Sequence, residues 1–152
     1  MIEPWRVPED GEELEGEESA EALELDQDPE ARFLGPVHYA LTVQLVSGEL
    51  IVTGTVAARV AFACSRCGEP FAAPVRDAAF ERAVEVVNRF QPVDLTPEIR
   101  ESILLAFPTF PLCAAECRGL CATCGTNLNT AVCHCEPRSD RPGTAFDGLT
   151  LG

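Results

Sequence analysis

The sequence predicts an α+β fold: a small antiparallel β-sheet of about four strands, one main helix, and a C-terminal cysteine cluster stapled by zinc. Three observations predict it. Apolar and polar residues alternate with a period of two across much of residues 37–86. A Thr-Pro-Glu start at Thr96 then opens an amphipathic stretch. Six of the eight cysteines follow between Leu112 and Cys135, and the other two, Cys64 and Cys67, lie inside the β-rich region.

The chain of 152 residues carries 25 acidic and 11 basic side chains, for a formal net charge of −14. Residues 1–32 hold 13 of the acids and two of the bases, so the rest of the chain is near neutral. Residues 1–31 are rich in Glu, Asp, Gly and Pro, a composition that buries too little apolar surface to offset the entropy of ordering. They are expected to be an acidic disordered tail with a short helix around Ala20–Leu25. Such a tail either solubilises the chain or imitates anionic RNA before a basic partner. Every basic residue is arginine, and their distribution lacks the broad basic footprint of a nucleic-acid-binding domain.

Val37, Tyr39, Leu41, Val43 and Leu45 alternate with polar or small residues and predict a strand. Ser47-Gly48-Glu49 predicts a turn, and Leu50–Ala63 a second strand with Val52, Val56, Val60 and Phe62 on one face. Gly54 marks a bulge or a close approach of backbone. Phe71, Ala73 and Val75 begin a return strand that Pro74 confines to an edge or breaks, and Phe80, Arg82, Val84 and Val86 alternate again. Thr96 is placed to cap the helix, with Pro97 at its first position and Glu98 facing the positive end of the dipole. Ile99, Ile103 and Phe107 share its apolar face, and Pro108 ends it.

Two cysteine pairs have knuckle spacing, Cys64-Ser-Arg-Cys67-Gly68 and Cys121-Ala-Thr-Cys124-Gly125. Thiolates two residues apart grip one zinc ion, and the glycine lets the backbone turn beneath it. Cys113, Cys117, Cys133 and Cys135 supply further ligands, so the chain is expected to hold one or two Zn2+ ions. One partition groups Cys64, Cys67, Cys113 and Cys117 against Cys121, Cys124, Cys133 and Cys135. Another makes a single ribbon of Cys64, Cys67, Cys121 and Cys124. An iron–sulfur cluster ranks below zinc because the knuckles have ribbon spacing.

Catalysis finds little support. A catalytic zinc needs an open coordination position and a nearby acid or base. The two histidines, His38 and His134, are expected to face solvent. The chain carries no P-loop, nucleophile elbow, dinucleotide fingerprint or paired-carboxylate signature. The rival class is a zinc-dependent or thiol-redox enzyme built on a CxxC pair. A redox CxxC usually opens a helix, whereas Cys64–Cys67 joins two strands. Arg66, Arg118, Arg138 and Arg141 border the cysteines and are the candidates for contacting RNA.

Cys117-Arg118-Gly119-Leu120-Cys121-Ala-Thr-Cys124-Gly125-Thr126-Asn127-Leu128-Asn129, followed by Cys133-x-Cys135, resembles the C-terminal signature of the YceD family, the large ribosomal RNA subunit accumulation proteins. Cys64-Ser-Arg-Cys67 after a long strand and Glu101–Cys113 add to the resemblance, which spans residues 37–135. Asn88–Asp94 is shorter and less acidic than the corresponding stretch of many members, and Asp140-Arg141-Pro142-Gly143 departs from the usual ending. The resemblance implies a non-enzymatic role in accumulating large-subunit ribosomal RNA, through that RNA or a basic large-subunit ribosomal protein, with no small-molecule substrate. Residues 32–135 are expected to form the domain and residues 136–152 a flexible C-terminal tail. No apolar run approaches the ~20 residues of a membrane span. The first residues lack the pattern of a signal peptide. Eight cysteines then fit a reducing cytoplasm, where thiols stay free for metal.

Overall fold

The computed structural model describes residues 1–27 and 31–136. In chain order it contains β1 (Glu12–Glu18), β2 (Ala31–Phe33), β3 (Val37–Val46), β4 (Glu49–Ala63), β5 (Pro70–Glu85) and α1 (Thr96–Leu105). All five strands form one antiparallel sheet, so the class is α+β. β4 is its axis. β5 pairs along one edge of β4; β3 and β2 pair end to end along the other, and β1 pairs the far side of β3.

The hairpin from β3 to β4 turns at Ser47 and Gly48, both at positive φ, which matches the twist of the strands it joins. β2 and β3 are one strand interrupted at Leu34-Gly35-Pro36. Phe33 lies opposite Val60 and His38 opposite Ala57, so the interruption adds two residues to the ladder. Gly54 sits where the β3 backbone comes close: a Cβ there would collide with the carbonyl oxygen of Ala40.

The two alternating stretches expected after the first knuckle are a single strand, β5. Its buried side chains change parity, Val75 before and Phe80 after, because a bulge puts Phe80 opposite Gly54 and Asp77 opposite Val56. Asp77 secures the bulge. Its carboxylate accepts from Ala79 N at 3.0 Å and from Ser102 Oγ on α1 at 2.8 Å. That bond ties the helix to the strand.

One face of the sheet is the core. Leu50, Val52, Val56, Val60 and Phe62 of β4 join Val37, Leu41 and Val43 of β3 and Phe80 of β5. Ile99 and Ile103 of α1 cover them, and Phe107, just beyond the helix, meets Phe62 edge-on at 5.2 Å. The helix start differs from expectation. Thr96 makes no capping bond; the carboxylate of Asp94 accepts from Thr96 N at 3.0 Å. Hydrogen bonds from the Thr96 side chain and backbone hold the Asp94 carboxyl below its ordinary range.

Residues 1–27 correct the expectation of a disordered tail. Ile2 exchanges backbone bonds of 2.7 Å with Val93, β1 pairs β3 over seven residues, and Ile2, Val7, Leu23 and Leu25 are buried in the core. Each such side chain contributes about 1.5–3 kcal/mol when fully buried. Residues 20–24 form turns, not the expected helix, around Leu23.

The opposite face of the sheet carries small and polar residues, among them Ala40, Thr53, Ala57, Ala72 and Ala83, all exposed or half-buried. Of the described elements, only α1 packs on the sheet, and it lies on the core face. The outer edges are unlike. β1 carries Glu12, Glu13, Glu15, Glu17 and Glu18, while β5 carries Pro70 and Pro74. None of the described helices is long and apolar enough to cross a membrane.

Candidate functional site

The hairpin of β4 and β5 ends in the first knuckle, which aims Cys64 and Cys67 at the segment after Pro111. Cys64 N donates to Glu69 O at 2.9 Å and Gly68 N to Cys64 O at 2.8 Å. The second knuckle repeats the pattern: Cys121 N donates to Thr126 O and Gly125 N to Cys121 O, each at 2.8 Å. Gly68 and Gly125 share nearly the same positive φ, 74° and 75°, which is why glycine stands at both. One local design therefore occurs twice, once on the sheet and once in the C-terminal lobe.

The eight sulfurs gather into two groups, Cys64, Cys67, Cys113 and Cys117, and Cys121, Cys124, Cys133 and Cys135. Within each group all four sulfurs lie within 4.8 Å of one another. This is the first partition that the sequence left open; the single ribbon of two knuckles is not what the fold brings together. All eight cysteines are free thiols.

The spacing tests the fit of a metal. A tetrahedral ion with Zn–S bonds of about 2.3 Å requires sulfurs about 3.8 Å apart. In the inner group Cys64 Sγ lies 3.8 Å from Cys117 Sγ, and Cys67 Sγ 3.8 Å from Cys113 Sγ. The outer group is slightly tighter, with Cys133 Sγ 3.3 Å from Cys121 Sγ and 3.5 Å from Cys124 Sγ. Either group could hold one tetrahedral ion. A four-iron, four-sulfur cluster would spread its thiolates further, since each would bind a different iron, and a two-iron, two-sulfur cluster would separate one pair from the other.

The thiol electrostatics agree with that reading. The hydrogen bond from the Cys113 backbone lowers Cys64 to about 6, whereas the bond with the Cys117 side chain raises Cys113 to about 12. In the outer group the Thr126 hydroxyl lowers Cys124 to about 6, and the bond with the Cys133 side chain raises Cys135 to about 12. Each foursome thus favours some thiolates and retains a proton elsewhere. A cation is what would let all four ionise together.

Residues beyond the cysteines hold the lobe in place. Ser65 N donates to Pro111 O at 2.8 Å. The guanidinium of Arg66 donates to the carbonyls of Ala115 and Cys117 at 3.1 and 3.0 Å, so this candidate RNA contact spends donors within its own chain. Gly119 packs under the first knuckle; a Cβ there would lie 3.0 Å from Arg66 O. Asn129, in the loop between the two cysteine pairs of the outer group, reaches back to the inner group. Its side-chain amide donates to Cys117 Sγ at 3.3 Å, and its Oδ1 accepts from Arg118 N at 2.8 Å. The sequence marks Asn127 and Asn129 as turn formers; their side-chain roles depend on three-dimensional contacts with residues up to twelve positions away.

Arg118 is exposed beside the inner group, while Arg138 and Arg141 lie outside the described residues. His134 is exposed between its two cysteines, and His38 is exposed with Nδ1 3.4 Å from Glu17. Neither histidine belongs to a cysteine group.

Comparison with known proteins points the same way. An uncharacterized protein of Mycobacterium leprae is 29% identical over 119 residues, covering 69% of this chain and 55% of the relative. One of Mycobacterium tuberculosis is 33% identical over 108 residues, covering 62% and 52%. The chain spans about half the length of these curated relatives. A maize protein named large ribosomal RNA subunit accumulation protein YCED homolog 1, chloroplastic, is 44% identical over 48 residues, covering 31% of this chain and 16% of its own length. No solved structure matches the chain. The family model described as Large ribosomal RNA subunit accumulation protein YceD matches residues 75–150, a stretch that begins in β5 and takes in α1 and six of the eight cysteines. On that match, carried over half its length, this chain belongs to the YceD family.

Proposed function

We propose that the protein is a non-enzymatic, zinc-stapled factor that supports accumulation of large-subunit ribosomal RNA in the cytoplasm, by binding and shielding a component of the assembling subunit. The ribosomal part of the reading rests on the name of the family. The structural observation that carries the non-enzymatic part is the closure of both cysteine groups. Four sulfurs surround each position a metal would take, which leaves no coordination site for substrate or activated water. Both CxxC pairs are engaged in these foursomes, which disfavours the redox alternative.

Cys64, Cys67, Cys113 and Cys117 would hold one Zn2+, and Cys121, Cys124, Cys133 and Cys135 the second. The ions supply folding free energy to a lobe with few apolar side chains of its own. Metal analysis of the purified protein is expected to return two zinc equivalents per chain. Depleting the protein in its host should lower large-subunit ribosomal RNA relative to small-subunit RNA. Unchanged RNA ratios after depletion would refute the ribosomal reading, and a chain free of zinc would refute the metal assignment.

A further inference from the structure

The uncovered face of the sheet carries a group of arginines that the cysteine sites do not use. Arg32 on β2 lies opposite Ala61, Arg59 on β4 opposite Pro74, and Arg76 on β5 opposite Ala57. Alternation puts all three on the face away from the core. By register, Arg32 and Arg76 are the two diagonal neighbours of Arg59, a separation of roughly 7–8 Å between Cα atoms. All three are exposed. Among the described residues none of them makes an ion pair, although acids outnumber bases 25 to 11. Arg6, Arg82 and Arg100, by contrast, each meet a glutamate. Three like charges gathered on a sheet repel one another and support nothing in the core.

We propose that Arg32, Arg59 and Arg76 form a contact surface for the phosphate backbone of RNA on the open face of the sheet, a proposal that rests on the ribosomal reading above. The surroundings select the occupant. Ala57, Ala61, Ala72 and Pro74 leave only low side chains between the arginines, and the depressions at either end are open to solvent: Arg32 and Ala61 line one with Phe62 and Phe107, Ala57 and Arg76 the other with Tyr39. A row of guanidinium groups on a face open to solvent matches a ligand of repeating negative charge and needs no base recognition. The same face turns acidic toward β1, where Glu13, Glu15 and Glu17 point outward in register with Thr42, Ala40 and His38. Arg76 stands at that border, across a shallow depression from Glu15 and Glu17, so an anionic strand is left to the side of Arg59 and Arg32, next to the first knuckle.

The test is salt-dependent binding of the full-length, zinc-loaded protein to in vitro transcribed large-subunit ribosomal RNA. Arg32, Arg59 and Arg76 are replaced together by Gln; a control replaces Arg6, Arg89 and Arg100, three arginines elsewhere, with the same change in charge. Each lost phosphate contact removes about 0.7–0.9 from the slope of log K against log salt. The sheet-face variant should therefore lower the slope by about 2–3 and weaken binding at low salt, while the control stays near wild type. Melting curves check that both variants fold.

A wild-type slope in the sheet-face variant, or an equal fall in the control, overturns the proposal. So does loss of a ribosomal-protein partner, with RNA binding intact, in the sheet-face variant. Depletion separates this from the broader reading. If depletion lowers large-subunit RNA while the sheet-face variant binds RNA normally, the surface is wrong and the function stands. If RNA binding depends on the three arginines while depletion changes nothing, the surface stands and the function falls.

Discussion

The inner and outer cysteine groups share a ligand set and a knuckle but differ in depth and in the chain they close. Cys64, Cys67 and Cys117 are buried, at 3–5% exposure, and their partners lie 46 and 53 residues apart in the chain. In the outer group every cysteine is exposed or half-buried, and the measured contacts close spans of nine and twelve residues. The inner site fastens the sheet to the C-terminal lobe; the outer site folds the lobe on itself. An identical set of four thiols can therefore be global in one place and local in another, because its structural leverage depends on which segments it joins.

The largest expected effect is at the inner site. Cys64→Ser should lose one zinc equivalent and lower Tm by roughly 10 °C, since sheet and lobe come apart together. Metal analysis with thermal melting measures both, and an unchanged Tm would break the comparison. Cys124→Ser should also lose one equivalent but move Tm by only about 2–4 °C, with proteolysis now cutting between residues 118 and 135. A drop as large as that of Cys64→Ser would show that the outer site is not local.

In the intact protein a thiol-alkylating reagent should modify the four outer cysteines and the exposed Cys113 before the buried Cys64, Cys67 and Cys117. Mass spectrometry of the labelled peptides would read the order, and simultaneous labelling would contradict the difference in depth. The smallest effect belongs to Asn129→Ala, which removes the amide bond to Cys117 and should cost about 1 kcal/mol in denaturant unfolding with both zinc equivalents kept. Loss of the inner zinc in that variant would mean that the asparagine, more than burial, secures the site.

The parts that were legible in the sequence are those governed by local periodicity. β3, β4 and α1 follow from alternation and helical spacing, since each side chain's face is set by its neighbours in sequence. Pro74 was read as confining the return strand to an edge or breaking it, and β5 runs unbroken through Pro74 as an edge strand, with a bulge further on that the sequence did not show. β1 was not legible. Glu-Glu-Leu-Glu-Gly-Glu-Glu has one apolar residue, and its order comes from backbone pairing with β3 and from Leu14 opposite Leu41, neither of which is local. Composition argued for disorder, and tertiary pairing outweighed it. At the cysteine groups the knuckles were readable from spacing, whereas the partition depended on how the hairpin end meets the segment after Pro111. The Asp94 bond at the helix start was missed because Thr96 satisfies the same capping rule.

The borders of the sheet bear on how the protein behaves when concentrated. An exposed strand edge is a template for strand addition and hence for aggregation. On one side a second copy adding antiparallel to β1 would bring glutamates against glutamates along seven residues. On the other, β5 offers Pro70 and Pro74, neither of which has an amide hydrogen to extend the ladder. Both borders resist growth by different means, charge on one and missing donors on the other. The glutamates of β1 thereby work against addition of a second copy at that border, and the two prolines against addition along β5.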